Sequence, residues 1–170
     1  KLPVTFYKDT AELPEFTDYS MKNRTYRYME MEALYPFGYG LTYGDVKVTA
    51  VAWTEKPEKD RPLKLRCTVN NTGARDTDDV VQVYIKDWKS RYAVRNYSLC
   101  GFRRVKVKAG ETIEADLTID PRALTIVDEE GKRYVDSDEF SLYVGCTQPD
   151  ERSVALTGCR PVEVRFTLGK

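Results

Sequence analysis

The sequence predicts an all-β protein, an antiparallel β-sandwich preceded by an irregular, aromatic-rich N-terminal strap. Three observations carry this. After residue 44, strand-like alternation recurs about eight times at regular spacing, with polar turns between the runs. Helical periodicity is nearly absent. Ten of the twenty aromatic residues fall in the first 44 positions, where no period is sustained.

The strands follow in order. Val46, Val48, Ala50 and Ala52 alternate with Lys47, Thr49 and Val51, and Trp53 continues the run into the core. Leu63, Leu65, Cys67 and Val69 share one parity, which makes Cys67 a buried free thiol. Asn70-Asn71-Thr72-Gly73 then turns the chain. The run from Val80 to Lys86 is the most strand-like. Its Val81, Val83 and Ile85 are expected on one face of a central strand, with Leu65, Cys67 and Val69 opposite or beside them. Phe102 to Val107 alternates and ends at Ala109-Gly110. Ile113, Ala115, Leu117 and Ile119 form the next face. Pro121-Arg122-Ala123-Leu124 forms one short helical turn. Tyr134 and Val135 follow the acidic turn Asp128-Glu129-Glu130-Gly131, and Phe140, Leu142 and Val144 face one way before Gly145. Val154 to Leu156 and Val162 to Leu168 are the last expected strands.

The first 44 residues behave differently. Val4-Thr5-Phe6-Tyr7 reads as a short strand, but Pro14, Pro36, Gly38 and Gly40 break any regular element. Such a segment builds no core alone, so its rings must pack elsewhere. Part of that partner is the following domain, against which Tyr35 to Tyr43 should lie. The rest is a domain outside this chain. The N-terminal half is therefore expected to be loosely held or docked on a neighbouring chain, a route to self-association. The opening Lys1 to Tyr7 looks mid-domain, as if the chain continued upstream.

Composition removes several function classes. Lysine plus arginine equals aspartate plus glutamate, 27 each, which argues against nucleic acid and against an electrostatic membrane anchor. No apolar run approaches a bilayer span, and no signal peptide or other targeting signal is visible. The chain has no histidine, which removes the usual base of serine and cysteine hydrolases and the commonest metal ligand. Cys67, Cys100, Cys146 and Cys159 are too widely spaced for a zinc pattern. Cys146 and Cys159 flank a loop and could pair; four reduced thiols is the reading preferred here.

Arg24-Thr25-Tyr26-Arg27-Tyr28, followed by Leu34-Tyr35-Pro36-Phe37-Gly38-Tyr39-Gly40-Leu41-Thr42-Tyr43, resembles the C-terminal junction of glycoside hydrolase family 3 enzymes. These are β-glucosidases, β-xylosidases and relatives. Val69 to Gly73, Asp79 to Ile85, Leu99 to Val105, Gly110-Glu111-Thr112 and Phe140 to Gly145 look like the fibronectin type III-like, immunoglobulin-type sandwich that ends many of them. Cys100 replaces a usually polar residue, and the stretch from Cys146 to Lys170 is longer than usual. The resemblance implies a parent of three parts: a barrel, an α/β sandwich and this β-sandwich. Residues 1–44 would then be the end of the middle domain plus the interdomain strap, and residues 45–170 the sandwich. The parent's reaction would be retaining hydrolysis of β-linked oligosaccharides or aryl glycosides by two carboxylates, without a cofactor. Its nucleophile lies in the barrel and its acid/base residue in the middle domain. Neither motif has a counterpart here, so no catalytic, cofactor-binding or metal-binding residue is expected in this chain.

Asp76, Asp78 and Asp79, and Asp128, Glu129 and Glu130, read as solvated turn residues. A glycosidase needs two carboxylates across one bond, and calcium needs several converging oxygens. Trp53, Trp88 and Tyr92 raise a sugar-stacking platform, although Trp53 belongs in the core and interdomain packing explains the others equally. The Arg24 to Tyr28 loop is more readily a structural strap than a pocket wall. Asn23-Arg24-Thr25, Asn70-Asn71-Thr72 and Asn96-Tyr97-Ser98 are formal glycosylation sequons. Two functions remain: a non-catalytic accessory domain whose partners are the parent's catalytic domains, and a free-standing fibronectin-like carbohydrate-binding or adhesion module. The aromatic strap discriminates, because a free module has no use for it.

Overall fold

A computed structural model describes residues 1–169. Nine strands occur among them: β1 (Val46–Trp53), β2 (Leu63–Asn71), β3 (Thr77–Asp87), β4 (Ser98–Val107), β5 (Thr112–Ile119), β6 (Ile126–Val127), β7 (Arg133–Tyr134), β8 (Glu139–Gly145) and β9 (Val162–Thr167). One sheet has the order β1-β2-β5 and the other β4-β3-β8-β9, while β6 and β7 form a small separate hairpin. All pairings are antiparallel. The protein is an antiparallel β-sandwich, with a leader before Val46.

Period-two alternation builds the core. From β2, Leu63, Leu65, Cys67 and Val69 point inward and are at most 1% exposed. Val81 and Val83 (both 0%) and Ile85 (6%) enter from β3, the partner of both β4 and β8. Phe140, Leu142 and Val144 from β8 and Ala115, Leu117 and Ile119 from β5 complete one continuous cluster. Trp53 packs edge-on against Phe166 of β9 at 5.0 Å, and Phe166 stacks on Phe140 at 5.6 Å. All four cysteines are free. Pro121–Leu124 is a 3-10 turn.

Three expectations are corrected. β1 does not alternate throughout: its register shifts between Val48 and Ala50, so Ala50 and Ala52 turn outward and Val51 and Trp53 turn in. The extra residue of such a bulge reverses parity. Val154 to Leu156 is not a strand but part of a helix, Glu151–Thr157. The Asp150 side chain accepts from the Ser153 amide, and Gly158 stops the helix at φ 66°. Val4 to Tyr7 makes no strand, only an isolated bridge between Phe6 and Tyr35.

Both faces of β3 are buried. Between its core valines, Gln82 is 3% and Tyr84 0% exposed. They lie on the outer face of the four-stranded sheet, and the leader covers them.

Candidate functional site: the seam between leader and sheet

At the centre of the seam, the Gln82 amide donates to the Gly38 carbonyl (2.9 Å) and to the Cys146 carbonyl (3.0 Å). The Tyr84 hydroxyl donates to Gln82 Oε1 at 2.6 Å. Gly38 has φ +78°, and a β-carbon there would sit 2.6 Å from the Tyr84 hydroxyl and closer still to Gln82. Both the backbone conformation and the space therefore require glycine. Burial pushes the Tyr84 and Tyr97 phenols far above their usual range, so both stay neutral hydrogen-bonding groups.

Aromatic rings flank this centre. Phe37 stacks on Tyr26 at 4.4 Å, Tyr26 meets Tyr84 edge-on at 6.0 Å, and Tyr97 meets Tyr84 edge-on at 5.5 Å. Tyr26 belongs to a one-turn helix, α1 (Thr25–Tyr28), and its hydroxyl accepts from the Leu99 amide of β4 at 2.8 Å. Asn96 clamps the same turn, donating to the Tyr26 and Met29 carbonyls at 2.8 and 2.9 Å. Met21, Asn23 and Thr25 all carry positive φ, a strained approach that this clamp holds in place.

The leader's two ends meet over the sheet. The Leu2 amide donates to the Tyr39 carbonyl, and the Gly38 amide to the Leu2 carbonyl, both at 2.8 Å. The Lys1 ammonium pairs with Asp79 at 2.8 Å, and that carboxylate is 3% exposed. Beside the seam lies a cavity of about 340 Å³. Thr5, Gln148 and Arg152 line it, each with a buried polar atom that has no hydrogen-bond partner among the described residues.

The leader holds large apolar side chains out to solvent among its charged residues. Phe16 and Leu41 are each 90% exposed, Tyr19 87% and Tyr43 83%. Ten of the thirteen exposed large hydrophobic side chains lie before residue 45. This corrects the expected docking of Tyr35 to Tyr43 in part: Gly38 and Thr42 bond to β3 and Phe37 is tied in through Tyr26, while the rings of Tyr35 and Tyr43 turn away.

The remaining candidate residues scatter. Asp79 takes Lys1, Asp78 takes Arg104 at 2.6 Å, and Asp76 accepts from the Ala109 amide. Asp128 closes the β6–β7 turn by accepting from the Lys132 amide, and Glu129 and Glu130 are exposed. Among the described residues, no group of three or more acids and cysteines could hold a metal ion. Trp53, Trp88 and Tyr92 form no common platform, because Trp53 is in the core while Trp88 binds Ser141 through its indole N–H at 2.9 Å. Two sequon asparagines are committed internally: Asn96 as above, and Asn23 to the Glu30 amide at 3.0 Å. Among the described residues, no helix is long and apolar enough to cross a membrane.

Residues 79–148 match the family model of the fibronectin type III-like domain. Xylan 1,4-beta-xylosidase of Xylanibacter ruminicola is 40% identical over 76% of this chain and 15% of its own length. A putative beta-xylosidase of Formosa agariphila is 30% identical over 92% of this chain and 21% of its own. Among solved structures, the GH3 beta-glucosidase of Bifidobacterium adolescentis superposes with a TM-score of 0.68 at 28% identity, covering 84% of this chain and 20% of that one. The chain matches the C-terminal region of glycoside hydrolase family 3 enzymes. The family model it matches is the fibronectin type III-like domain, and the chain spans about a fifth or less of the relatives' length.

In this family 3 region, sequence reasoning missed Gln82 and Asn96. Gln82 looks like a solvent-facing residue between core valines. The signal that could have found it is the pairing of a long polar and an aromatic side chain, Gln82 and Tyr84, on one face of the most buried strand. Asn96 lies in a loop and carries no periodic signal.

Proposed function

We propose that this chain is a non-catalytic accessory part of a larger family 3 glycoside hydrolase, joined to the enzyme's other domains through its leader. On this reading, residues 1–44 are the end of the preceding domain plus a strap, and residues 45–170 are the sandwich. The strap's inner face is fixed to the sheet by Gly38, Gln82, Tyr84 and the Tyr26–Phe37 stack, and its outer face packs against the rest of the enzyme. The carrying observation is the concentration of exposed apolar side chains on the leader. Large apolar side chains gathered in the open on one segment suit an interface. The unpaired polar atoms of Thr5, Gln148 and Arg152 beside it suit the same interface. The parent would hydrolyse terminal β-glycosidic bonds by the retaining two-carboxylate route, with both carboxylates outside this chain. The names of the relatives support xylosides and glucosides as its substrates.

The test is an assay of the purified 170-residue chain on aryl β-xylosides and β-glucosides. The expected result is no turnover above buffer. Turnover abolished by replacing a carboxylate within the chain, Asp79 or Asp128 for instance, would overturn the proposal.

A further inference from the structure

A groove of about 520 Å³ opens on the face where α1 meets the β3–β4 loop, the 3-10 turn and the β6–β7 hairpin. Its charge pattern is unlike the rest of the surface. Of the fourteen arginines, nine engage a carboxylate or a carbonyl among the described residues. The other five are Arg27, Arg75, Arg91, Arg122 and Arg133. Arg27, Arg122 and Arg133 all line this groove, each from a different element. Arg91 lies 4.5 Å over the ring of Tyr92, which also lines it. Arg133 donates to the Thr125 hydroxyl at 3.0 Å and Arg91 to the Tyr92 hydroxyl, but no carboxylate or carbonyl engages any of these guanidiniums among the described residues, and those gathered in one concavity form a carboxylate-reading site.

The groove also carries acids, and these narrow the ligand. Asp87 and Asp120 line it. Asp120 is used on the Arg122 amide at 2.8 Å. Asp87 uses Oδ1 on the Lys89 and Ser90 amides, while its Oδ2 is buried without a hydrogen-bond partner among the described residues. A sulfate or halide ion would satisfy the arginines but offer Asp87 no donor, and phosphate has no apolar face to lay on the rings of the groove. A ligand carrying one carboxylate and several hydroxyls satisfies both sets. The rings of Tyr28 and Tyr92 and the apolar side chains of Leu99 and Ile126 give such a ligand faces to lie on. The volume falls within the usual range for a small-molecule site, about 300–1,000 Å³.

We propose that this groove binds a carboxylated sugar, a uronic acid unit. The site lies apart from the seam's Gly38–Gln82 centre and does not depend on the accessory role proposed above. Binding holds the carboxylate on the arginines and directs a ring hydroxyl at Asp87.

The test titrates the whole chain with glucuronate, followed by the NMR signals of the arginine Nε–H groups. Glucose, inorganic phosphate and N-acetylglutamate amide are the comparison probes. Glucuronate should shift Arg27, Arg122 and Arg133 saturably and leave Arg75 unmoved. Arg122→Gln should weaken binding about tenfold, equivalent to about 1.4 kcal/mol. Arg27→Gln should do the same and serves if the first variant is misfolded. Both guanidiniums are exposed and free of carboxylate and carbonyl partners, so the fold should survive either change. Equal affinity for any comparison probe, or glucuronate binding unaltered in both variants, would overturn the proposal.

Discussion

Single residues decide where the leader attaches. Gly38 is held at φ +78° directly over Gln82 and Tyr84. Gly38→Ala costs about 1–2 kcal/mol from the left-handed backbone alone, and steric displacement of the Gln82 amide adds to it. Its expected effect is faster amide exchange at the Gly38 N–H, with the sandwich core much less affected; equal loss throughout the core would mean that the leader is not a separable layer. Cys67 makes a different prediction. Burial pushes its thiol up from 9.0 to about 11. Between those values the unfolded chain releases the proton and the folded chain keeps it, so stability should fall as pH rises through that window. Denaturant melts of Cys67→Ala should show a shallower decline there than the wild type, whatever the variant's overall stability.

At the scale of elements, legibility followed burial on one face or two. Strands with one face inward, such as β2 and β5, are readable because the period of two maps directly onto the core. β3 was located correctly but half understood: Val81, Val83 and Ile85 announced the inner face, while Gln82 and Tyr84 resembled an ordinary wet face because their cover comes from 44 residues away in the chain. β1 misled because one bulge reverses parity with no Gly or Pro to mark it. The helix Glu151–Thr157 was mistaken for a strand because Val154 and Leu156 are two apart. The capping residues, Asp150 with Ser153 and Gly158, were the better signal. That cap is testable. Asp150→Ala should remove the bond to the Ser153 amide (2.9 Å) and cost about 1 kcal/mol, read as a lower Tm. No change in Tm would mean that the helix is fixed by its packing rather than its cap.

For the molecule as a whole, the leader is layered. Its inner side shares hydrogen bonds and stacked rings with the four-stranded sheet, and its outer side leaves Phe16, Tyr19, Leu41 and Tyr43 more than 80% exposed. The sequence made the strap recognisable through its aromatic excess and its breakers. It left unassigned which rings face which way, because that choice depends on a clamp between distant residues, Asn96 on Tyr26 and Gln82 on Gly38. The central claim is that the outer layer belongs to an interface with the rest of a larger enzyme. Hydrogen exchange measured by mass spectrometry, on this chain and on the longer enzyme that contains it, tests that most directly. The account predicts that the segment from Leu13 to Met21 exchanges fast in the isolated chain and is strongly protected in the longer enzyme, while the Gly38 and Leu2 amides are protected in both. Equally fast exchange of Leu13 to Met21 in both would contradict it.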